Sequence, residues 1–456
     1  MMPAVQAEAP RRAVSFNRRI FRAAAWVSAA GVAVKLVAVG KEMAVARVYG
    51  RGDAIEAFFA AALIPALLIN LVSESMNQAL IPTFVRVREY EGRDCAQELF
   101  SNALLWMCGL LAAFTAAMAL AARGIFPLIA SHYFASKLEL SIHLFYGLLP
   151  VILLTGVATL CTGVLNTYDR FALPALASMA NSVAIILGVL LVGGRLGIWA
   201  MVYATLIGAL AHAAWVGGML QRHGIRLRLR WYGMTQATRE VGRQFCPVLL
   251  SGVVASGGLV IDQAMAAMLP AGSVSALVYA NRFVSVILTL LAGSISAAVT
   301  PYFSEMIAHG DWAECRRTLR TWVRTTLLVS VPVAAALAAA GRLLVRAALQ
   351  HGAFGPQDTT VVTRVLIMFA IQIPFFTASR VYYRFLVAMR RTDLIFYCGA
   401  INLVLDVILN ILLMRWFGVA GIALATSLWT ASAFLFLWHW TRKLLPKWEC
   451  AETAPN

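Results

Sequence analysis

The sequence predicts an all-α polytopic membrane protein, with about twelve transmembrane helices in two parallel repeats of six. Three observations carry that expectation. Hydrophobic residues fill 61% of the 456 positions and charged residues only 13%, about half the share of a soluble chain. The apolar runs are about 20 residues long, the length of a bilayer-spanning helix and not of alternating ten-residue barrel strands. Short motifs also recur at a nearly constant spacing across the two halves.

Taken in order, residues 1–19 read as a basic cytoplasmic tail. Apolar segments then centre near residues 35, 66, 110, 152, 182, 207, 254, 290, 330, 373, 403 and 429. Met234–Arg243 lies in the longest basic connection and marks the boundary between an N-lobe at 20–233 and a C-lobe at 234–445. Residues 446–456 form a second cytoplasmic tail. Leu80-Ile81-Pro82-Thr83-Phe84 ends the second segment and Val299-Thr300-Pro301-Tyr302-Phe303 ends the eighth. Asn181 corresponds to Asn402, and Tyr203-Ala204-Thr205 to Leu424-Ala425-Thr426. The offsets, Pro82 to Pro301, Asn181 to Asn402 and Thr205 to Thr426, are 219, 221 and 221. Six helices return the chain to its starting side, so the repeats run parallel about an axis along the membrane normal.

The net charge of +17 invites a nucleic-acid reading, but its distribution opposes one. Lys and Arg concentrate in the connections on the side of the N-terminus, which is the positive-inside bias and puts both termini in the cytoplasm. The basic stretches Arg222–Arg243 and Arg316–Arg324 are topology signals that also meet anionic membrane lipids. No nucleic-acid partner is expected. The seven cysteines have no paired spacing and lie mostly in apolar segments, as filler and not as a disulfide framework or metal site. The seven histidines are scattered without ligand spacing, and no Gly-rich phosphate loop occurs. The chain reads as a non-enzyme, driven by an ion gradient or the membrane potential.

Charges inside the apolar segments point to function. Val34–Pro82 reads as two spanning helices joined by Gly50-Arg51-Gly52-Asp53, yet it holds Lys35, Lys41, Glu42 and Glu74. A charge at mid-bilayer costs about 2.5–3.5 kcal/mol on insertion scales, so such residues face a protein interior or a watery cavity. On a helix Lys35 and Glu42 share a face, and Lys41 sits about 100° round from Glu42. Asn70, Glu74, Asn77 and Gln78 follow the spacing of one polar stripe on the second helix. The two helices together suggest a solvated cationic cavity; local pairing or snorkelling is the bland alternative. In the second half Arg282 occupies the helix equivalent to the second, facing the same space. Asp262, the i, i+4 pair Asn402 and Asp406, and Thr426 place oxygens from three helices. That set suits a hard cation such as Na⁺, or a proton relay; no other cofactor is expected.

These residues carry a resemblance to a known family. The signatures are Lys35, Gly40-Lys41-Glu42, Ala46-Arg47-Val48-Tyr49-Gly50, Glu56-Ala57-Phe58-Phe59 and Ile64-Pro65-Ala66-Leu67-Leu68. They continue with Leu165-Asn166-Thr167-Tyr168-Asp169-Arg170-Phe171 and Pro174, then Gly272-Ser273-Val274-Ser275-Ala276-Leu277-Val278-Tyr279-Ala280-Asn281-Arg282. His351-Gly352-Ala353-Phe354 and Gly421-Ile422-Ala423-Leu424-Ala425-Thr426 complete the set. In this ordered set the chain resembles the MviN/MurJ lipid-linked cell-wall precursor flippases of the multidrug/oligosaccharidyl-lipid/polysaccharide exporter superfamily. The resemblance implies a V-shaped two-lobed bundle in the bacterial inner membrane. It would carry an undecaprenyl-pyrophosphate-linked saccharide by alternating access, beside cell-wall or polysaccharide synthesis proteins.

By that resemblance Lys35, Lys41 and Arg282 match cavity arginines, with Glu42, Glu56, Asn70 and Glu74 around the substrate. Asp262, Asn402, Asp406 and Thr426 match a sodium site, with the Ile422 carbonyl beside it. The sequence also departs from the family pattern. Two cavity arginines are lysines, which keep charge but lose the planar fork for phosphate. Ile69-Asn70 stands where a basic pair is usual, and Glu56 stands in place of an Asp. Peptidoglycan members usually carry two further helices. An exopolysaccharide or O-antigen-type unit therefore competes with lipid II as substrate. A Na⁺/H⁺-coupled multidrug antiporter of the same superfamily is the second reading, and a non-transporting scaffold of a polysaccharide synthase the third.

Overall fold

The computed structural model describes residues 31–452 except 130–132, 169–171 and 390. The expected tail at 1–19, and Asp169, Arg170 and Phe171 of the motif above, lie outside the described residues. Twelve long helices follow one another within them. They are α1 (31–49), α2 (Asp53–Tyr90), α3 (Arg93–Ile129), α4 (Ala135–Asn166) and α5 (Ala172–Ala177 running into Met179–Leu196). Then come α6 (Trp199–Arg222), α7 (Gln236–Ala267), α8 (Ser273–Ala308) and α9 (Trp312–Leu349). The last are α10 (Pro356–Ala388), α11 (Thr392–Phe417) and α12 (Val419–Glu452). Each centre expected from hydropathy falls within its own helix. Helices α2 to α12 are long and apolar enough to cross a membrane, whereas α1 carries Lys35, Lys41, Glu42 and Arg47 in its described turns. Leu187, Leu191, Ile207, Leu328, Leu343 and Trp416 are exposed on the outside of the bundle, where lipid takes the place of water.

The repeat appears in the backbone itself. Gly197 ends α5 at φ 56°, ψ −141°, and Gly418 ends α11 at φ 57°, ψ −136°. That left-handed φ suits glycine, which lacks a Cβ to clash. Within each half the packing is equivalent: α4 is wrapped by α2, α3 and α6, and α10 by α8, α9 and α12.

The halves meet mainly at one end, the end that carries the α1–α2 connection. There a single apolar core runs from α2, α3 and α4 through Val274, Tyr279, Phe354 and Ile373 of the second half. At the opposite end the second half has its own core, built by Phe303, Trp312, Leu319, Tyr382, Phe385 and Leu437. One shared core and one separate core leave a cleft between the halves. Helix α7 is the exception, since it packs on both α2 and α11. Its start is tied to the first half where Arg86 donates to both carboxylate oxygens of Glu240, at 3.2 and 2.6 Å.

Glycine permits the closest of these approaches. A Cβ on Gly421 at the start of α12 would run into the Leu413 carbonyl of α11, while one on Gly194 would meet nothing within 4 Å. Gly421→Ala is expected to destabilise by about 1–3 kcal/mol, as overpacking does, while Gly194→Ala is neutral or stabilising by up to about 1 kcal/mol. Thermal unfolding of both variants in detergent checks this; an unchanged Tm for Gly421→Ala would contradict the packing.

Candidate functional site

Helix α1 presents its charges at the seam between the halves. Lys41 Nζ lies 2.9 Å and Arg282 Nε 3.0 Å from the same oxygen of Glu42. Glu42 is only 3% exposed, whereas the Arg282 side chain is 49% exposed to the cleft. Lys35, two helical turns from Glu42, lies close enough to Arg282 to feel its like charge. The structure thus brings Lys35, Lys41 and Arg282 together, but with a counter-ion among them, so three cations and one carboxylate leave two net positive charges. Glu42, expected beside the substrate, is buried and instead holds Lys41 and Arg282 in place.

Arg282 lines a cavity of about 630 Å³ with Asn70, Asp262, Asn402, Asp406 and Thr426. Arg282 and Asn70, expected to bind substrate, therefore share one space with the residues expected to bind Na⁺. Asn410 donates to Asp262 Oδ1 at 2.8 Å and reaches Asp406 Oδ1 at 3.2 Å, while the Thr426 hydroxyl lies 3.2 Å from Asp262 Oδ2 and 3.1 Å from the Ile422 carbonyl. Asn402 lines the cavity, but its amide donates to Cys398 Sγ at 3.3 Å and not to the carboxylates. Sequence reasoning missed Asn410, although it continues the i, i+4 row from Asn402 and Asp406 along α11. Asp406 Oδ2 and Asn410 Oδ1 are buried acceptors without a partner among the described residues. Gly258 of α7 leaves Asp406 Oδ2 room, as a Cβ there would sit 3.3 Å away. Two carboxylates, an amide oxygen and a hydroxyl are a donor set that fits a hard monovalent cation or a proton.

The stripe expected on α2 does not stay on one face. The turn Ile69–Glu74 is π-helical, and such a wider turn rotates everything beyond it. It follows Pro65, whose ring has no N–H for the Ala61 carbonyl. Asn70 faces the central cavity, while Glu74, Asn77 and Gln78 face a second cavity of about 700 Å³ within the first half. Glu74 is thus not part of the cationic site.

Glu56, also expected beside the substrate, is 1% exposed and closes the seam. Its Oε1 accepts the backbone N–H groups of Val274 at 2.8 Å and Ser275 at 3.4 Å, at the N-terminus of α8. That end of a helix carries unpaired donors and partial positive charge, which a carboxylate satisfies. Its Oε2 takes a 2.7 Å bond from Lys137 of α4, which also reaches Asp53 at 2.7 Å and lies over the Tyr133 ring at 4.1 Å. Around it Tyr279 donates to the Gly50 carbonyl at 2.9 Å, the Ala353 N–H to the Arg47 carbonyl at 2.9 Å, and Arg51 pairs with Asp358 at 3.3 Å. Nothing in the spacing of Glu56, Lys137 and Val274 signalled this contact.

Two six-helix halves, joined at one end around a charged cleft, define a helical transporter bundle. The family model for the lipid II flippase MurJ matches residues 45–453, and the chain belongs to that family, whose members are transporters and not enzymes. A lipid II flippase MurJ of Burkholderia cenocepacia is 28% identical over 370 residues, covering 77% of this chain and 70% of that protein. Among solved structures, a lipid II flippase MurJ in an inward closed conformation shares the fold at TM-score 0.80 and 22% identity, covering 91% of this chain and 87% of that one. An inward-facing multidrug resistance MATE family transporter matches at TM-score 0.79 and 13% identity, over 93% and 96%.

The buried ion pair yields a direct expectation. Lys137→Met strands the Glu56 carboxylate and should cost about 3–5 kcal/mol, as breaking a buried pair does. Adding Glu56→Gln should restore most of that, because the amide oxygen still accepts from α8. Chemical or thermal unfolding of the single and double variants reads this. A double variant less stable than Lys137→Met would contradict it.

Proposed function

We propose that this protein flips an undecaprenyl-pyrophosphate-linked saccharide, lipid II or a related polysaccharide precursor, across the bacterial inner membrane. The single observation that carries the reading is the exposed Arg282 guanidinium in the cleft, tied through Glu42 to Lys41 of α1, with Lys35 on the same face of α1 as Glu42. A pyrophosphate crossing the apolar region needs compensating charge, since an unpaired anion there is very costly. Two net positive charges from α1 and α8 supply it, one from each half. An anion that displaces Glu42 from Arg282 would shift α8 against α1 and so couple binding to the access switch. A cationic drug would meet repulsion from the same groups, which disfavours the antiporter reading.

The positive-inside bias supports placing both termini in the cytoplasm, and with them the opposite end of the cleft, so that the joined end is periplasmic. The lobes are divided at 233/234, with a cytoplasmic tail preceding the first helix. A cysteine at position 272 that labels only from the inside would reverse this orientation. Synthetic enzymes of the cell wall or of another envelope polysaccharide are the natural suppliers of the lipid.

Lys35→Ala and Arg282→Ala should each abolish flipping in proteoliposomes while leaving the protein folded. Lys35→Arg and Lys41→Arg should retain or raise it, because arginine adds the phosphate-matching fork. Equal affinity of wild type and both alanine variants for a pyrophosphate-linked and a neutral polyprenyl lipid would sink the assignment.

Ion coupling belongs to Asp262, Asp406, Asn410 and Thr426, with Asn402 in the same wall. Asp406→Asn should weaken the Na⁺ or H⁺ dependence of transport under imposed gradients without loss of expression. Unchanged gradient dependence would reduce the cluster to helix packing.

A further inference from the structure

The second cavity lies apart from the cationic site and from the carboxylate cluster. It occupies about 700 Å³ within the first half, between α2, α4, α5 and α6, a size in the range of small-molecule sites. The π-helical turn of α2 aims residues into it, since Glu74 ends that turn and Asn77 and Gln78 follow it. Glu74 and Gln78 are exposed there, while Asn77 is 7% exposed.

The chemistry of its wall is specific. Its polar groups are mainly amides and hydroxyls, from Asn77, Gln78, Asn166, Thr159, Thr162 and Ser178, set among Ile81, Pro82, Pro174 and Ala175. Glu74 is the one carboxylate among the described lining residues, and no Lys or Arg is among them. His212 Nε2, Thr162 Oγ1 and Asn77 Oδ1 have no hydrogen-bond partner among the described residues. The other end of the Asn77 amide is fixed, donating to the Thr159 carbonyl at 3.0 Å. Gly163 makes the room, because a Cβ there would collide with the Asn77 amide. Buried polar atoms left unpaired are costly, so a wall built this way favours a guest that supplies hydrogen bonds.

Three kinds of guest fit poorly. A phosphate would face Glu74 with no described cation to offset it. A bare cation needs only a few oxygens at 2–3 Å, not a chamber of this size. An apolar acyl chain would leave Asn77 Oδ1, Thr162 Oγ1 and His212 Nε2 unpaired. An uncharged polyhydroxylated group, offering both donors and acceptors, fits the wall.

We propose that this cavity is a saccharide subsite, which takes the sugar portion of the lipid-linked substrate while Lys35, Lys41 and Arg282 hold its pyrophosphate. The inference rests on the flippase reading above. It divides recognition between two places: charge in the cleft accepts any pyrophosphate-linked lipid, and the neutral pocket selects for the sugar.

The test is a binding titration, by native mass spectrometry, of purified full-length protein against undecaprenyl pyrophosphate and undecaprenyl-pyrophosphoryl disaccharide. Thr162→Val keeps shape and removes the hydroxyl, and Gln78→Leu changes an exposed side chain; unfolding curves confirm that both variants fold. Each should weaken binding of the disaccharide lipid about tenfold, as expected when a polar site loses a hydrogen-bonding group. Binding of undecaprenyl pyrophosphate should not change. Equal loss for both lipids, or no loss for either, would overturn the saccharide subsite. Arg282→Ala separates the two ideas. If it leaves undecaprenyl pyrophosphate binding intact, the flippase reading fails, whatever the pocket variants do.

Discussion

A carboxylate taken wholly out of water, Glu56, joins the two halves of this molecule. Burying it unpaired would be prohibitive, and the structure meets that cost from both sides of the seam. Lys137 supplies charge from α4, and the first turn of α8 supplies two backbone N–H groups and the positive end of its dipole. One oxygen serves each half. The bond therefore exists only while the halves are together at this end, and the contacts of Tyr279, Arg51 and the Arg47 carbonyl gather around it. Apolar packing then continues across the seam as one core, while the far end keeps a separate core in the second half.

That constraint shapes the cleft. Helix α8 begins at the Glu56 contact and reaches Arg282 about two and a half turns later, so whatever moves its first turn also moves the guanidinium. Glu42, from α1, holds Arg282 there. On the proposed function, an anion entering the cleft would compete with Glu42 for Arg282 and Lys41, and so would act on the position of α8. The carboxylates Asp262 and Asp406 line the same cavity, so an entering anion and a coupling cation would sense one another's charge. For the proposed ion coupling, that shared cavity would serve without a long relay through the protein.

The helices and the repeat were legible because the bilayer sets both: each span needs about 20 apolar residues, and six spans return the chain to its side. The matched left-handed glycines Gly197 and Gly418 are the backbone counterpart of the offset found from Asn181 and Asn402. The candidate site was legible in part. Lys35, Lys41 and Arg282 stood out because charge in an apolar run needs a reason. The role of Glu42 as counter-ion to Lys41 and Arg282 did not, since helical spacing says which side chains share a face and not which of them is buried. Glu74 was misplaced because an ideal helix was assumed where the wider turn at Ile69–Glu74 rotates the stripe. The partners of Glu56 are 81 and 218 residues away, beyond anything local spacing encodes.

On the proposed function, a pyrophosphate that takes Arg282 from Glu42 would shift α8 and so release the seam that Glu56 closes at its first turn. Spin labels on the exposed positions Ser136 of the first half and Gln357 of the second report that seam by pulsed electron resonance. In reconstituted protein the distance should be short and single without ligand, and should gain a longer population when undecaprenyl-pyrophosphoryl disaccharide is added. Undecaprenol, which lacks the anion, should leave it short. A distribution that does not respond to the pyrophosphate lipid, or responds equally to the neutral one, would contradict the account.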